Sequence, residues 1–184
     1  MVLMNTKQTL LNHASELIRT RGYTGFSYAD LAERVGIRKA SIHHHFPSKE
    51  DLGVALVEQY IEQFEVSLRE IEGPPTKKLR AYAGLYRQSL QEGWGCLCGM
   101  LASEVEVVPS AVATGVRRFM ELNLRWLSQV ISEGQQQGLI ASTANAGTIL
   151  SLCQGALLVA RSTQNAAGFD HAIEGALTMI QTNP

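Results

Sequence analysis

Apolar residues recur along this chain every three to four positions, in runs broken by glycine and proline, and each run predicts an amphipathic helix. Leu10, Leu11, Ala14, Leu17 and Ile18 make the first stripe, in a helix capped by Thr6 and closed by Arg19, Arg21 and Gly22, with Met1 to Asn5 as a frayed end. Tyr23 and Phe26 bracket a turn whose rings pack inward. Ser27 can cap the next helix with its hydroxyl, and Asp30 adds negative charge at the positive helix end. Leu31, Ala32 and Val35 line that helix, and Gly36 ends it as a left-handed C-cap. A third helix, Lys39 to His45, follows at once. Beyond it the pattern predicts a long connecting helix from Asp51 to Glu72, stopped by Gly73-Pro74-Pro75, and another from Thr76 to Gly93. Trp94 to Gly99 reads as a loop or broken helix entry, Met100 to Val108 as a short helix before Pro109, and Ser110 to Gln137 as the central pillar. Thr143 to Asn165 and Phe169 to Thr182 close the chain as two last helices.

The fold class is therefore all-α: a three-helix N-terminal domain over residues 1–50, then a helical body over 51–184, with the connecting helix starting near residue 48. The two short helices between Ser27 and His45, joined by the tight turn at Gly36, form a helix-turn-helix. In its second helix Ile42 and Phe46, four apart, mark the packed face. At about 100° per residue, Ala40 and His44 point the opposite way with Ser41 and His43 on the flanks. That outward set is small and rich in hydrogen-bonding groups, as a helix entering a major groove requires. Arg38 and Lys39 lie at its N-terminus, and Lys49 begins the next helix where a phosphate contact is expected. His43, His44 and His45 do not predict a metal site, since three consecutive helical residues spread over about 200° and cannot converge on one ion. His45, nearer Ile42, is read as structural.

Net charge alone points away from nucleic acid, because the 184-residue chain carries a formal −1. Its distribution reverses that inference. Residues 1–50 hold seven Lys/Arg against four acids and four of the five histidines, so +3 sits on the head and −4 on the remainder. A basic head makes DNA affinity steeply salt-dependent. The 45% apolar share supports a core, and no apolar run is long enough to span a membrane. Lys7 and its polar neighbours interrupt any signal-peptide pattern, so a cytoplasmic protein is expected. Three cysteines, Cys96, Cys98 and Cys153, are too few and odd in number for a secreted disulfide framework. No glycine-rich phosphate loop, metal constellation or Ser-His-Asp-like arrangement suggests an enzyme or a cofactor.

Gly22-Tyr23, Ser27, Gly36-Ile37-Arg38-Lys39-Ala40-Ser41-Ile42-His43 and His45-Phe46-Pro47-Ser48-Lys49 stand in order and at the right spacing, and the stretch from about Thr9 to Tyr60 resembles the DNA-binding domain of the TetR family of transcriptional repressors. The resemblance departs from the family pattern at Arg38, where a capping Ser is usual, and at His43, where Tyr is usual. It implies DNA contacts from Ser27, Tyr28, Arg38, Lys39, Ala40, Ser41, His43, His44 and Lys49. The run Gly95 to Glu104, with Trp126 and Gly138-Leu139-Ile140 downstream, is further similar to the ligand-binding body of the NemR-like regulators of that family.

The function so implied is that of a one-component repressor on a palindromic double-stranded operator, released by a small-molecule or electrophile effector. The alternative is a DNA-binding protein whose body only dimerises or recruits a partner. Candidate effector contacts are Tyr60, Phe64, Tyr82, Tyr86, Trp94, Cys96, Met100, Glu104, Phe119, Arg125 and Trp126, with Arg125 and Glu104 as semi-buried polar groups. Cys96, near a helix start, is a candidate electrophile-sensitive thiol. Gly155, Ala156, Val159 and Ser162 on one terminal helix and Ala172, Gly175, Ala176 and Met179 on the other let helices approach closely and predict a homodimer seam.

Overall fold

The computed structural model describes residues 6–182, so the expectation for Met1 to Asn5 lies outside the described residues. Its regular elements are helices, in the order α1 (Thr6–Arg21), α2 (Tyr28–Val35), α3 (Lys39–His45), α4 (Lys49–Arg69), α5 (Pro75–Gln91), α6 (Leu97–Ala102), α7 (Ser110–Gln136), α8 (Ala146–Ser162) and α9 (Ala166–Ile180). One isolated antiparallel bridge, Ile140 to Gln181, accompanies them among the described residues. Contacts divide the chain into two compact units: one runs up to Gln63 and includes Leu97–Arg118, the other holds Phe64–Cys96 and everything from Phe119.

In the first unit the sequence signals for α2 act as expected. The Ser27 hydroxyl accepts the Ala29 and Asp30 N–H groups, and Asp30 accepts the Ser27 N–H at 2.7 Å in return, a complete capping box. Gly36, at φ +73°, donates to Ala32 O at 2.9 Å and closes the helix. Arg38 precedes α3 without a side-chain cap, and Phe46 N–H ends it on Ile42 O at 2.8 Å. The core here joins Leu10, Leu17 and Ile18 of α1 to Leu31, Ile42, Phe46, Leu52 and Leu56, all at most 2% exposed. Close backbone approach is built in at Gly115, where a Cβ would come within 2.7 Å of Val57 Cγ1. Arg118 of α7 pairs with Glu58 of α4 at 2.5 Å.

The second unit packs α5 against α8 and α9 and includes the later turns of α7. Arg80 forks onto both oxygens of Glu174 at 2.8 Å and Arg87 reaches Asp170 at 2.7 Å, so α5 and α9 run antiparallel. Cys153, Leu157 and Ala160 of α8 and Phe169, Ile173 and Leu177 of α9 turn inward.

Several boundaries differ from the sequence pattern, each for a local reason. α4 starts at Lys49, near the start expected at about residue 48 and two residues ahead of the Asp51 where the apolar pattern opens, because Ser48 and Asp51 form a second reciprocal cap, at 2.9 and 3.1 Å. The helix expected from Met100 to Val108 instead spans Leu97–Ala102, where Leu97, Cys98 and Leu101 are buried, and turns follow to Val107. α8 and α9 begin at Ala146 and Ala166 because Asn145 and Asn165 cap them, accepting Thr148 N–H at 2.9 Å and Gly168 N–H at 3.1 Å.

Candidate nucleic-acid interface

α3 is held from below and open above. Ile42 is fully buried and Phe46 is 2% exposed, while Arg38, Lys39, Ala40, Ser41, His43 and His44 are exposed and His45 is half-buried. The short spacing from Ile42 to Phe46 thus fixes the facing that hydrophobic patterning predicts. Ser27 is also exposed, with its oxygen engaged in the α2 cap. Thr6, Ile37, Ala40, Ser41, His44 and His45 line an open depression of about 540 Å³ beside the helix.

Two residues expected to face DNA serve this surface from beneath. Tyr28, which the resemblance implies as a DNA contact, is 6% exposed; its hydroxyl donates between Phe46 O at 3.0 Å and Ser48 O at 2.5 Å. Burial, with a lesser push from Asp51 and Tyr23, raises its pKa to about 12. The Lys49 ammonium, expected at a phosphate, turns inward: it donates to Tyr23 O at 2.6 Å and Phe26 O at 2.5 Å, and stands 4.6 and 4.2 Å from the two ring centres. Burial lowers its pKa against the pull of Glu104 and Asp30. The carbonyls of the α1–α2 turn lack helical partners, and Lys49 satisfies two of them.

Glu104, anticipated as an effector contact, closes the same turn. Its carboxylate accepts Tyr23 N–H and Thr24 N–H, each at 2.9 Å, and the Thr24 hydroxyl at 2.8 Å. Gly22, at φ +83°, leaves the space this carboxylate fills. Tyr60 also lies in this unit, half-buried with the Arg19 guanidinium 5.9 Å from its ring centre, as does half-buried Met100.

The other candidate effector residues lie in the second unit. Phe64 meets Phe119 at 5.0 Å and Tyr82 at 6.3 Å, and Tyr82 stacks on Trp126 at 5.5 Å and 18°. Within this cluster Tyr82 donates to Asn123 Oδ1 at 2.6 Å; its single hydrogen thus used, it accepts from the Tyr86 hydroxyl at 3.1 Å. Asn123 Nδ2 completes the set by donating to Phe119 O at 2.7 Å. Burial pushes both tyrosine pKa values well up. Cys96 is buried and takes the Gln154 amide on its sulfur at 3.5 Å; burial pushes the nearby Cys153 thiol up to about 12. Trp94 is half-buried, with its backbone N–H on Ser89 O at 2.9 Å.

Arg125 departs from expectation: its side chain is 70% exposed and its nearest acid, Glu121, is 4.0 Å away on the same helix. Asn123 and Gln154 went unnoticed in the sequence. Asn123 had a readable signal, a polar residue in the buried series Phe119, Leu127, Val130. None of the candidate effector residues lines the cleft of about 540 Å³ formed by Leu90, Gly93, Leu158, Arg161, Gln164 and their neighbours.

On α8 and α9 the small-residue faces are open. Val159 is 59% and Met179 79% exposed, joined by Leu158 at 63%. Gly155, Ser162 and Gly175 are exposed, Ala156, Ala172 and Ala176 half-buried, and a Cβ at either glycine would meet nothing within 4 Å. Among the described residues no group of three or more His, Cys, Asp or Glu could hold a metal ion, and no helix is long and apolar enough to cross a membrane.

Residues 10–56 match the family model described as bacterial regulatory proteins, tetR family. The crystal structure of a TetR-family transcriptional regulator from Agrobacterium tumefaciens is similar over 96% of this chain and 97% of its own, at 37% identity and a TM-score of 0.91. A TetR transcriptional regulator from Legionella pneumophila matches at 30% identity and a TM-score of 0.88, covering 98% of this chain and 100% of that one. The HTH-type transcriptional repressor NemR of Escherichia coli is 29% identical, over 97% of this chain and 95% of its own length.

Proposed function

The chain belongs to the TetR family of bacterial regulatory proteins, and from that premise we propose that it is a one-component transcriptional repressor whose homodimer grips a two-fold operator until an effector enters the body. The observation that carries the reading is α3, locked from inside by Ile42 and Phe46 and exposing Arg38, Lys39, Ala40, Ser41, His43 and His44. Ala40, Ser41, His43 and His44 reach base edges, while Ser27, Arg38 and Lys39 meet the backbone. Tyr28 and Lys49 act through the frame, holding the turns on either side of α3.

The apolar faces of α8 and α9, with Leu158, Val159 and Met179 uncovered, support the homodimer seam. Two heads held in this way read half-sites one helical turn, about 34–36 Å, apart. The naming of NemR as a repressor supports repression over activation. For the effector, the Tyr82–Tyr86–Asn123 hydrogen bonds beside Trp126 and Cys96 supply convergent polar groups in an apolar setting. A non-covalent small molecule suits this site better than an electrophile, because the cysteines are buried. Full burial of Tyr82 and Phe119 favours, as second reading, a body that only dimerises.

The experiment is selection of bound duplexes from a random library, light scattering for mass, and a thermal-shift screen of small molecules and mild electrophiles read beside operator release. A two-fold selected site bound by a dimer supports the repressor. Absence of any selected sequence would defeat it, and a screen in which no compound both shifts melting and releases DNA would favour the second reading.

A further inference from the structure

What the exposed imidazoles of α3 recognise depends on which ring nitrogen carries hydrogen, and at His43 the structure fixes this. His43 Nδ1 lies 3.0 Å from the carbonyl oxygen of Pro47. A peptide carbonyl only accepts, so Nδ1 is the nitrogen that carries the hydrogen and donates. A neutral imidazole has one N–H, which leaves Nε2 as a lone pair. The ring is held in that orientation from a second side: it sits edge-on to Tyr28, centroids 5.0 Å apart at 65°. Tyr28 is buried and its hydroxyl is bonded to the carbonyls of Phe46 and Ser48, the two residues flanking Pro47. The acceptor that orients His43 is therefore itself pinned.

We propose that His43 is a specificity determinant that accepts, through Nε2, a hydrogen bond from the exocyclic amino group of an adenine or cytosine in the major groove. The proposal rests on α3 being the groove-reading helix. In that groove guanine offers acceptors at N7 and O6, thymine one at O4, and phosphates accept as well; a lone pair gains nothing from any of them. Adenine N6 and cytosine N4 are the donors on offer. A hydroxyl at this position could rotate its hydrogen to suit either kind of partner. His43, with Nδ1 committed to Pro47, reads one kind.

The protein is tested at about pH 8, on the alkaline side of the ordinary histidine range. After operator selection, each adenine or cytosine of a half-site is replaced in turn by purine or 2-pyrimidinone nucleoside, which lack the amino group, and Kd is measured by fluorescence anisotropy. The expected result is one position per half-site where amino removal raises Kd by about 3- to 12-fold for the wild type, the worth of one hydrogen bond. His43→Phe, which keeps the ring against Tyr28, should be indifferent at that position, and the comparison cancels any weakening of the base pair itself. Equal losses in the two proteins, or no sensitive position in a site the wild type does select, would overturn the role of His43 while leaving α3 as the reading helix. A wild type that selects no sequence would instead bring down the reading of α3, and this inference with it.

Discussion

Replacing Tyr82 by Phe removes one oxygen from the core of the second unit and strands two other groups. The Tyr82 hydroxyl is the donor to Asn123 Oδ1 at 2.6 Å and the acceptor for Tyr86 at 3.1 Å, and Asn123 and Tyr82 are fully buried with Tyr86 at 2% exposure. Leaving a buried polar group unpaired costs about 1–3 kcal/mol, so two of them, partly relaxed, should cost roughly 2–5 kcal/mol. Tyr86→Phe deletes the outer end of the same chain. Tyr82 still donates to Asn123, nothing is stranded, and the loss should be about 0.5–1.5 kcal/mol. Adding Asn123→Leu to Tyr82→Phe replaces one stranded amide by an apolar group of similar shape and should recover part of the deficit. The assay is urea unfolding at one fixed protein concentration, because association contributes to apparent stability. For a chain of this size Tyr82→Phe should lower the melting temperature by roughly 4–20 °C. The reasoning fails if Tyr82→Phe is no more damaging than Tyr86→Phe.

Three further outcomes can be checked. Gly115→Val should destabilise by about 1–3 kcal/mol by pressing on Val57, and Val57→Ala should relieve it in a double-mutant cycle. Gly175→Trp or Met179→Asp, on the open face of α9, should give monomers in light scattering and weaken operator binding with an unchanged far-ultraviolet spectrum; a tight-binding dimer would remove this face as the seam. Alkaline pH should unfold the protein: Tyr28, Tyr82 and Tyr86 hold their protons in the fold beyond the unfolded value of about 10, so the unfolded state binds fewer protons and stability falls as pH rises from there toward 12. Melting temperatures of Tyr28→Phe across that range should decline less steeply than those of the wild type.

The helix-turn-helix was legible because its signals are local. Ser27, Asp30 and Gly36 each bond to partners within four residues of themselves, and Ile42 with Phe46 sets the rotation of α3. The residues that went elsewhere answer to distant partners. Lys49 pairs with carbonyls 23 and 26 positions back, and Glu104 with amides about 80 positions back, so neither orientation can be read from its neighbours. Arg125 falls on an exposed face of α7 two positions from fully buried Asn123, a rotation of about 200° that the apolar count along that helix did not resolve.

The fit of the Glu104 carboxylate into the space beside Gly22 has a historical consequence. A side chain at position 22 would need both a left-handed backbone and the room the carboxylate occupies, so a change there meets two obstacles while Glu104 stays. Glu104 can be lost while Gly22 stays, at the expense of freeing the Tyr23 and Thr24 amides. Divergence at this pair is therefore asymmetric: losing Glu104 first removes one of the two obstacles at position 22 and leaves the left-handed backbone, whereas a change at position 22 first meets both.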